Sequence, residues 1–220
     1  MRRSGIRHLV VALAVGAVAG VAVADGAAAQ QNPRADAERE LPSELAELEP
    51  VFREDPGAAT PLLLAGAREM KDAARANRWI ELARLLRGMD DVAAREAGLA
   101  AVEEEAGDAG AALRRLEVAL EDDPAEGSAP GLAALAALVA DASPELDGTP
   151  FRTRLVEEYL DSPEGPEAAL LLARSRMDEG TPRALEDARE LAEELVVARP
   201  DHPLVPDARR ILEALSDGAP

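Results

Sequence analysis

Apolar residues return along this chain at the three- and four-residue spacing of a helix face, and no stretch alternates as a half-buried strand would. In residues 108–121, Ala112, Leu113, Leu116, Ala119 and Leu120 share one face. Leu185, Ala188, Leu191, Ala192, Leu195 and Val196 do the same in residues 182–198, and Val205, Ala208, Ile211, Leu212 and Leu215 in the last segment. Each stripe needs a neighbouring helix to cover it. The pattern predicts helix pairs over 61–76 with 78–88, 91–106 with 108–121, 130–142 with 150–161 and 165–179 with 182–198. A helix over 204–216 closes the series, and a short leading helix fits within 42–53. Residues 30–41 are polar and read as a flexible lead-in.

The breaks between helices share a vocabulary. Residues 161–169 are DSPEGPEAA and residues 201–209 are DHPLVPDAR; both read Asp-x-Pro-x-x-Pro-acid-Ala, forty positions apart. The acid-x-Pro signal also ends at Pro56 and at Pro124, so the prolines fall 68, 39 and 40 residues apart. Since 68 is twice 34, the chain reads as two 34-residue units followed by two of about 40, with a proline-free junction near Asp90. Gly-Thr-Pro occurs at 148–150 and at 180–182. It offers a glycine to end one helix, a threonine cap and a proline for the first helical position. Thr60-Pro61 repeats the start alone, and Pro166-Glu167 and Pro206-Asp207 put an acid in a first turn, where the helix dipole favours it.

Residues 99–124, LAAVEEEAGDAGAALRRLEVALEDDP, resemble the second half of helix A, the turn and helix B of a tetratricopeptide repeat. The matching positions are Leu99 and Ala100, Gly107-Asp108 at the turn, Ala112, Leu116 and Ala119, and Pro124 at the exit. Small residues let helices approach closely, the glycine frees the turn and the proline blocks continuation. Ala188 precedes Pro200 by the twelve residues that helix B requires, though the turn from Gly180 is about three residues longer than the family pattern. In residues 61–88, Asn77 stands where the turn glycine belongs and Trp79 where an aromatic is common. The large aromatics usual in helix A are replaced by Leu and Ala, so another helix-pair solenoid stays open as an alternative. The resemblance covers most of residues 56–216. It implies binding of a protein or peptide on the concave surface lined by the A helices, without catalysis, and is similar to the tetratricopeptide proteins of Gram-negative envelopes.

The N-terminus, MRRSGIRHLVVALAVGAVAGVAVADGAAAQQ, has a basic start, an apolar run from Leu9 to Ala24 and the small-x-small pattern Ala27-Ala28-Ala29. It reads as a secretory signal peptide cleaved after Ala29, which predicts a periplasmic or secreted protein. The rival is a retained anchor, for which Gly16-x-x-x-Gly20 offers a pairing motif, but 16 apolar residues are short for a span. Arg2-Arg3 fits a twin-arginine signal poorly. There is no cysteine, which excludes disulfides, thiolate metal sites and a lipidated cysteine. The formal charge of −19 becomes −21 once residues 1–29 take three arginines and Asp25 with them. So acidic a surface repels phosphate backbones and anionic lipids, which argues against nucleic acid and direct membrane-surface binding and favours basic or polar-plus-apolar partners. Lys71 is the only lysine among 24 basic residues.

Candidate chemistry is sparse. His202, beside Asp201, is the only histidine after residue 29, and neither a nucleophile in Gly-x-Ser-x-Gly nor a second nitrogen ligand accompanies it. At the place where His202 stands, the copy forty residues earlier has Ser162, so the histidine reads as turn filler. Glu103-Glu104-Glu105, Glu121-Asp122-Asp123 and Glu157-Glu158 read as solvated faces or first-turn acids, and nothing matches an EF-hand loop. Trp79, Phe52, Phe151 and Tyr159 are the only large aromatics; Phe151, Leu155 and Tyr159 form one helical stripe and read as core. No glycine-rich phosphate loop occurs.

The sequence therefore predicts an all-α, right-handed, tetratricopeptide-like helix-pair solenoid of about four pairs plus a C-terminal capping helix. It comprises a signal peptide (1–29), a lead-in with room for a short helix (30–58) and the repeat domain (59–217). The expected function is a non-enzymatic scaffold of the cell envelope that binds a partner protein or peptide, with no catalytic, cofactor-binding or metal residue assigned. An accessory subunit of an envelope hydrolase and a self-associating structural spacer are the alternatives.

Overall fold

The computed structural model describes residues 41–217, so the readings of residues 1–29 and 30–40 lie outside the described residues. Residues 41–217 are all-α: ten α-helices and two 3₁₀ turns, with no strand among the described residues. After a 3₁₀ turn at Leu45–Leu48 come α1 (Glu49–Glu54), a second 3₁₀ turn (Pro56–Ala58), α2 (Ala59–Glu69), α3 (Ala73–Leu86), α4 (Asp91–Glu105) and α5 (Ala109–Glu121). There follow α6 (Ala129–Asp141), α7 (Thr149–Tyr159), α8 (Gly165–Glu179), α9 (Pro182–Ala198) and α10 (Val205–Asp217). No described helix is long and apolar enough to cross a membrane.

Most boundaries fall where the pattern put them, and α8 and α9 match at both ends. The first pair is a correction: the break lies at Met70-Lys71-Asp72, and Asn77 sits inside α3. Asp72 accepts the N–H groups of Ala74 and Arg75 at 2.9 and 3.2 Å, a strong start, whereas Asn costs a helix interior only about half a kcal/mol. The threonine caps divide. Thr181 caps α9 by accepting from Ala184 N–H at 3.2 Å, after Gly180 (φ 68°) closes α8. Thr149 does not cap α7; Asp147 accepts from its N–H at 2.8 Å instead, and this bond holds the Asp147 carboxyl below its usual range. Thr60 lies one residue inside α2.

The repeated junctions do equivalent jobs. Ser162 Oγ accepts from the N–H of Glu164 at 3.3 Å, and forty residues on His202 Nδ1 accepts from the N–H of Leu204 at 3.3 Å. Both are side chains turning the chain on itself two residues ahead. Successive junctions also touch. Arg199 donates to the Asp161 carbonyl at 2.8 Å and to its carboxylate at 3.1 Å, while Ser128 meets Asp90.

That second contact is a reciprocal lock. Ser128, 1% exposed, accepts from Asp90 N–H at 3.0 Å and donates to Asp90 Oδ2 at 2.8 Å, while Oδ1 caps the N–H groups of Val92 and Ala93. The bond from Ala93 N–H, then the Ser128 hydroxyl, hold the Asp90 carboxyl below the usual carboxylate range. A depressed carboxylate contributes stability above its unfolded value of about 4, and this is lost as pH falls through the lower folded value. Ser128→Ala is therefore expected to cost about 1 kcal/mol at neutral pH, because it removes both bonds that the buried hydroxyl makes to the more exposed Asp90. Urea titrations from pH 7 to 3 should show the gap to the parent protein narrowing on acidification, since the share belonging to the ionised carboxylate vanishes first. A gap that widens on acidification would contradict the cap.

The core is built from leucine and alanine. α6 is apolar on every side, with ten of its thirteen residues buried, and it packs against α3, α4, α5 and α7. Alanines along one face (Ala133, Ala136, Ala137, Ala140) permit the short interhelical distances that a central helix needs. The leading segment is part of this core: Leu45, Leu48 and Phe52 are buried, and α1 lies on α4. Phe151 and Tyr159 are half-buried against the core while Leu155 and Trp79 are inside it. α8 serves two apolar clusters. Ala168, Ala169 and Leu172 face the main one, whereas Leu170 and Ala173 join Ala188, Ala192, Leu195, Ala208, Ile211 and Leu215 of α9 and α10.

Candidate functional site

Four helices present residues at helical spacing to one groove. α3 contributes Asn77, Glu81 and Arg84; α6 contributes Ala134, Ala137, Leu138 and Asp141; α7 contributes Arg152 and Leu155; α8 contributes Glu167, Ala168 and Leu171, with Glu164 just before it. On α3, α6 and α8 the members recur at three to four positions, so each helix turns one whole face to the groove. The cavity holds about 290 Å³. A second depression of about 210 Å³ shares Asn77, Glu81 and Leu138 with it and continues past Trp79 and Leu82 to Leu45 on the leading segment and to Ala101 and Glu104 on α4. The family pattern places binding on the first helix of each pair; this groove departs from it, because two of its four helices, α3 and α7, are second helices that pack directly on α6.

The floor is apolar and the rim charged. Leu171 is 39% exposed, Leu138 is half-buried and Leu155 is buried. Arg84 donates to Glu81 at 2.6 Å and to Glu164 at 2.9 Å, and the bond to Glu81 raises its guanidinium above the ordinary value against the opposing effect of burial. Arg152 pairs with Asp141. Burial pushes the Arg152 guanidinium down, yet an arginine starts so high that it stays a cation.

The other acids that stood out are placed as follows. The Glu103-Glu104-Glu105 triplet is a correction to the solvated-face reading. Glu103 binds Arg115 of α5 at 2.6 Å, and Glu104 lies 2.8 Å from Arg78 of α3. Glu105 binds Arg75 of α3 at 2.9 Å and accepts from Leu45 N–H at 2.6 Å. Three consecutive acids thus clamp α3, α5 and the leading turn onto the end of α4. Arg115 also reaches Glu96 at 2.7 Å, and its bond to Glu103 raises its guanidinium further. Glu121, Asp122 and Asp123 are exposed at the end of α5, with Asp123 in the left-handed region at φ 55°. Glu158 pairs with Arg154 at 3.0 Å. His202 lies in the α9–α10 turn, far along the chain from the groove residues, with Asp201 exposed beside it. Among the described residues no three His, Asp or Glu side chains converge as a metal site. Trp79 Nε1 and Arg78 Nη2 are buried without a hydrogen-bond partner; the Arg78–Glu104 approach is close but off the angle of a hydrogen bond.

Sequence patterning marked the helices but not the groove, because its residues span positions 77 to 171 and each helix announces only its own stripe. The one local hint was Glu81 and Arg84, charges interrupting the apolar run of α3. Comparison of the chain with family models, with curated proteins and with solved structures gives no match.

Proposed function

We propose that this protein is a non-enzymatic binding scaffold whose helix pairs form a right-handed, tetratricopeptide-like solenoid, and that a segment of a partner protein lies in the groove between α3, α6, α7 and α8. The observation that carries the reading is the groove itself: an apolar floor of Leu138, Leu155 and Leu171 inside a charged rim, open to solvent along four helices. The rim charges Arg84, Glu81, Glu164, Arg152 and Asp141 are committed to one another as ion pairs, an arrangement that orients a surface rather than activating a nucleophile. The repeat architecture is supported by the contacts between junctions 38 residues apart, Asp90 with Ser128 and Asp161 with Arg199. An envelope setting, periplasmic or secreted, follows from the reading of residues 1–29 as a cleaved signal.

Site-specific photocrosslinking in cells tests this, with the reactive residue at Leu171 or Asn77 in the groove and at Val197, 80% exposed on α9, as the control. The expected outcome is one partner joined from both groove positions and not from Val197, whose purified form loses binding to the Leu171→Asp variant. Equal capture from Val197, or full binding by Leu171→Asp, would refute the assignment.

A further inference from the structure

The groove has an uneven charge: Glu81, Asp141, Glu164 and Glu167 face Arg84 and Arg152. Both arginines are spent internally, Arg84 between Glu81 and Glu164 and Arg152 on Asp141. Among the described residues no hydrogen bond or ion pair engages Glu167, which stands exposed in the first turn of α8, four residues before Leu171. Four positions on a helix place Glu167 and Leu171 on the same side, so whatever covers the Leu171 side chain also strips water from Glu167.

That coupling sets the chemistry of the occupant. A purely apolar segment would leave Glu167 desolvated and unpaired, at a cost that exceeds the gain from a small apolar contact. An acidic segment adds repulsion to a groove that already holds two surplus carboxylates. Only an occupant that brings a cation beside an aliphatic group satisfies both surfaces at once, and the same arrangement rejects the other two. The dimensions choose between a small molecule and a chain. About 290 Å³ is at or below the lower limit of cavities that enclose drug-sized ligands, while the depression running on past Asn77 gives length instead of depth.

Resting on the scaffold reading above, we infer that the groove recognises a polypeptide segment by a lysine or arginine side chain paired with Glu167, the carboxylate that neither groove arginine engages, with a neighbouring aliphatic side chain seated on Leu171 and Leu138. Arg84 and Arg152 then act as fixed positions of the rim, already neutralised, so the incoming cation meets carboxylates and no competing charge. Long aliphatic stems of lysine and arginine can lie along the leucine floor while the charged head reaches the rim.

Panning a random dodecapeptide library on the purified protein, with counter-selection on the Leu171→Asp variant, tests the inference. Recovered peptides are expected to share a Lys or Arg next to Leu, Ile, Met or Phe. By fluorescence anisotropy they should bind Glu167→Gln about three- to tenfold more weakly, the range of a partly exposed charge pair. Glu117→Gln/Glu121→Gln, on the exposed side of α5, should leave affinity unchanged. Circular dichroism verifies that each variant keeps its helix content. Groove-dependent peptides without a cation, or equal weakening by the α5 variant, would overturn the charge code while leaving the scaffold reading intact. Failure to recover any peptide sensitive to Leu171→Asp would remove both.

Discussion

Gly98→Val is expected to lower the unfolding free energy by about 3 kcal/mol and the thermal midpoint by roughly 6–12 °C. A Cβ built on Gly98 would lie 2.1 Å from Phe52 Cδ1 and 2.4 Å from Cγ, and Phe52 is 0% exposed, so the ring has nowhere to retreat. α1 lies against α4 through this contact, and any side chain at 98 forces the two helices apart. The diagnostic experiment is the smaller change. If Gly98 were an incidental helix glycine, Gly98→Ala would raise stability by up to about 1 kcal/mol through helix propensity. Here the sign is expected to reverse. At Gly110, where the added Cβ would meet only side-chain tips, Arg114 Nη1 at 3.4 Å and Asp108 Oδ1 at 3.7 Å, the same substitution should stabilise or be neutral. Combining Gly98→Ala with Phe52→Leu should cost less than the sum of the two, because the smaller side chain vacates the clashing space. A midpoint that rises for Gly98→Ala would show that α1 is not held against α4 as described.

Trp79→Ala carries the second large effect, about 3–5 kcal/mol, as for other deletions of a fully buried indole. Trp79 is 1% exposed, its Cζ3 edge lies against Gly66 of α2, and Arg75 sits 5.9 Å above the ring centroid. Trp79→Phe should cost far less, about 1 kcal/mol, because it keeps the ring and removes an N–H that is buried without a protein partner, which offsets part of the lost area. Urea unfolding followed by far-ultraviolet circular dichroism gives both values, since the variants lack the only tryptophan. Equal costs for the two substitutions would mean that the indole nitrogen is satisfied, for instance by a bound water, and that its bond is part of the core.

The helices were legible because their information is local. Asp108 caps α5, Gly107 turns at φ 89°, and Thr181-Pro182 opens α9, each readable from a few adjacent residues. The α2–α3 break was misplaced because its signal is a single aspartate, Asp72, with neither glycine nor proline nearby, while Asn77 offered a turn residue that the helix absorbs. The ion pairs of Glu103, Glu104 and Glu105 were hidden for a different reason. Their arginines lie 12 to 30 positions away, and only the packing of α3 and α5 beside α4 brings them in. The groove belongs to this second class. Periodicity shows that α3, α6 and α8 each have a face; it does not say which faces meet, and the approach of α3 to α6 joins elements separated by two intervening helices.

α8 stands in both apolar clusters and supplies Glu167 and Leu171 to the groove, so a ligand bound as proposed would be thermodynamically linked to C-terminal order. α9 and α10 brace the Leu170–Ala173 side of α8, and a segment held on its Glu167–Leu171 side must therefore oppose their fraying. At a hundredfold excess over its dissociation constant, such a ligand would add about 2.7 kcal/mol against any opening that also loosens α8. The last two helices, which supply no residue to the groove lining, would thereby become a remote gauge of whether the groove is filled.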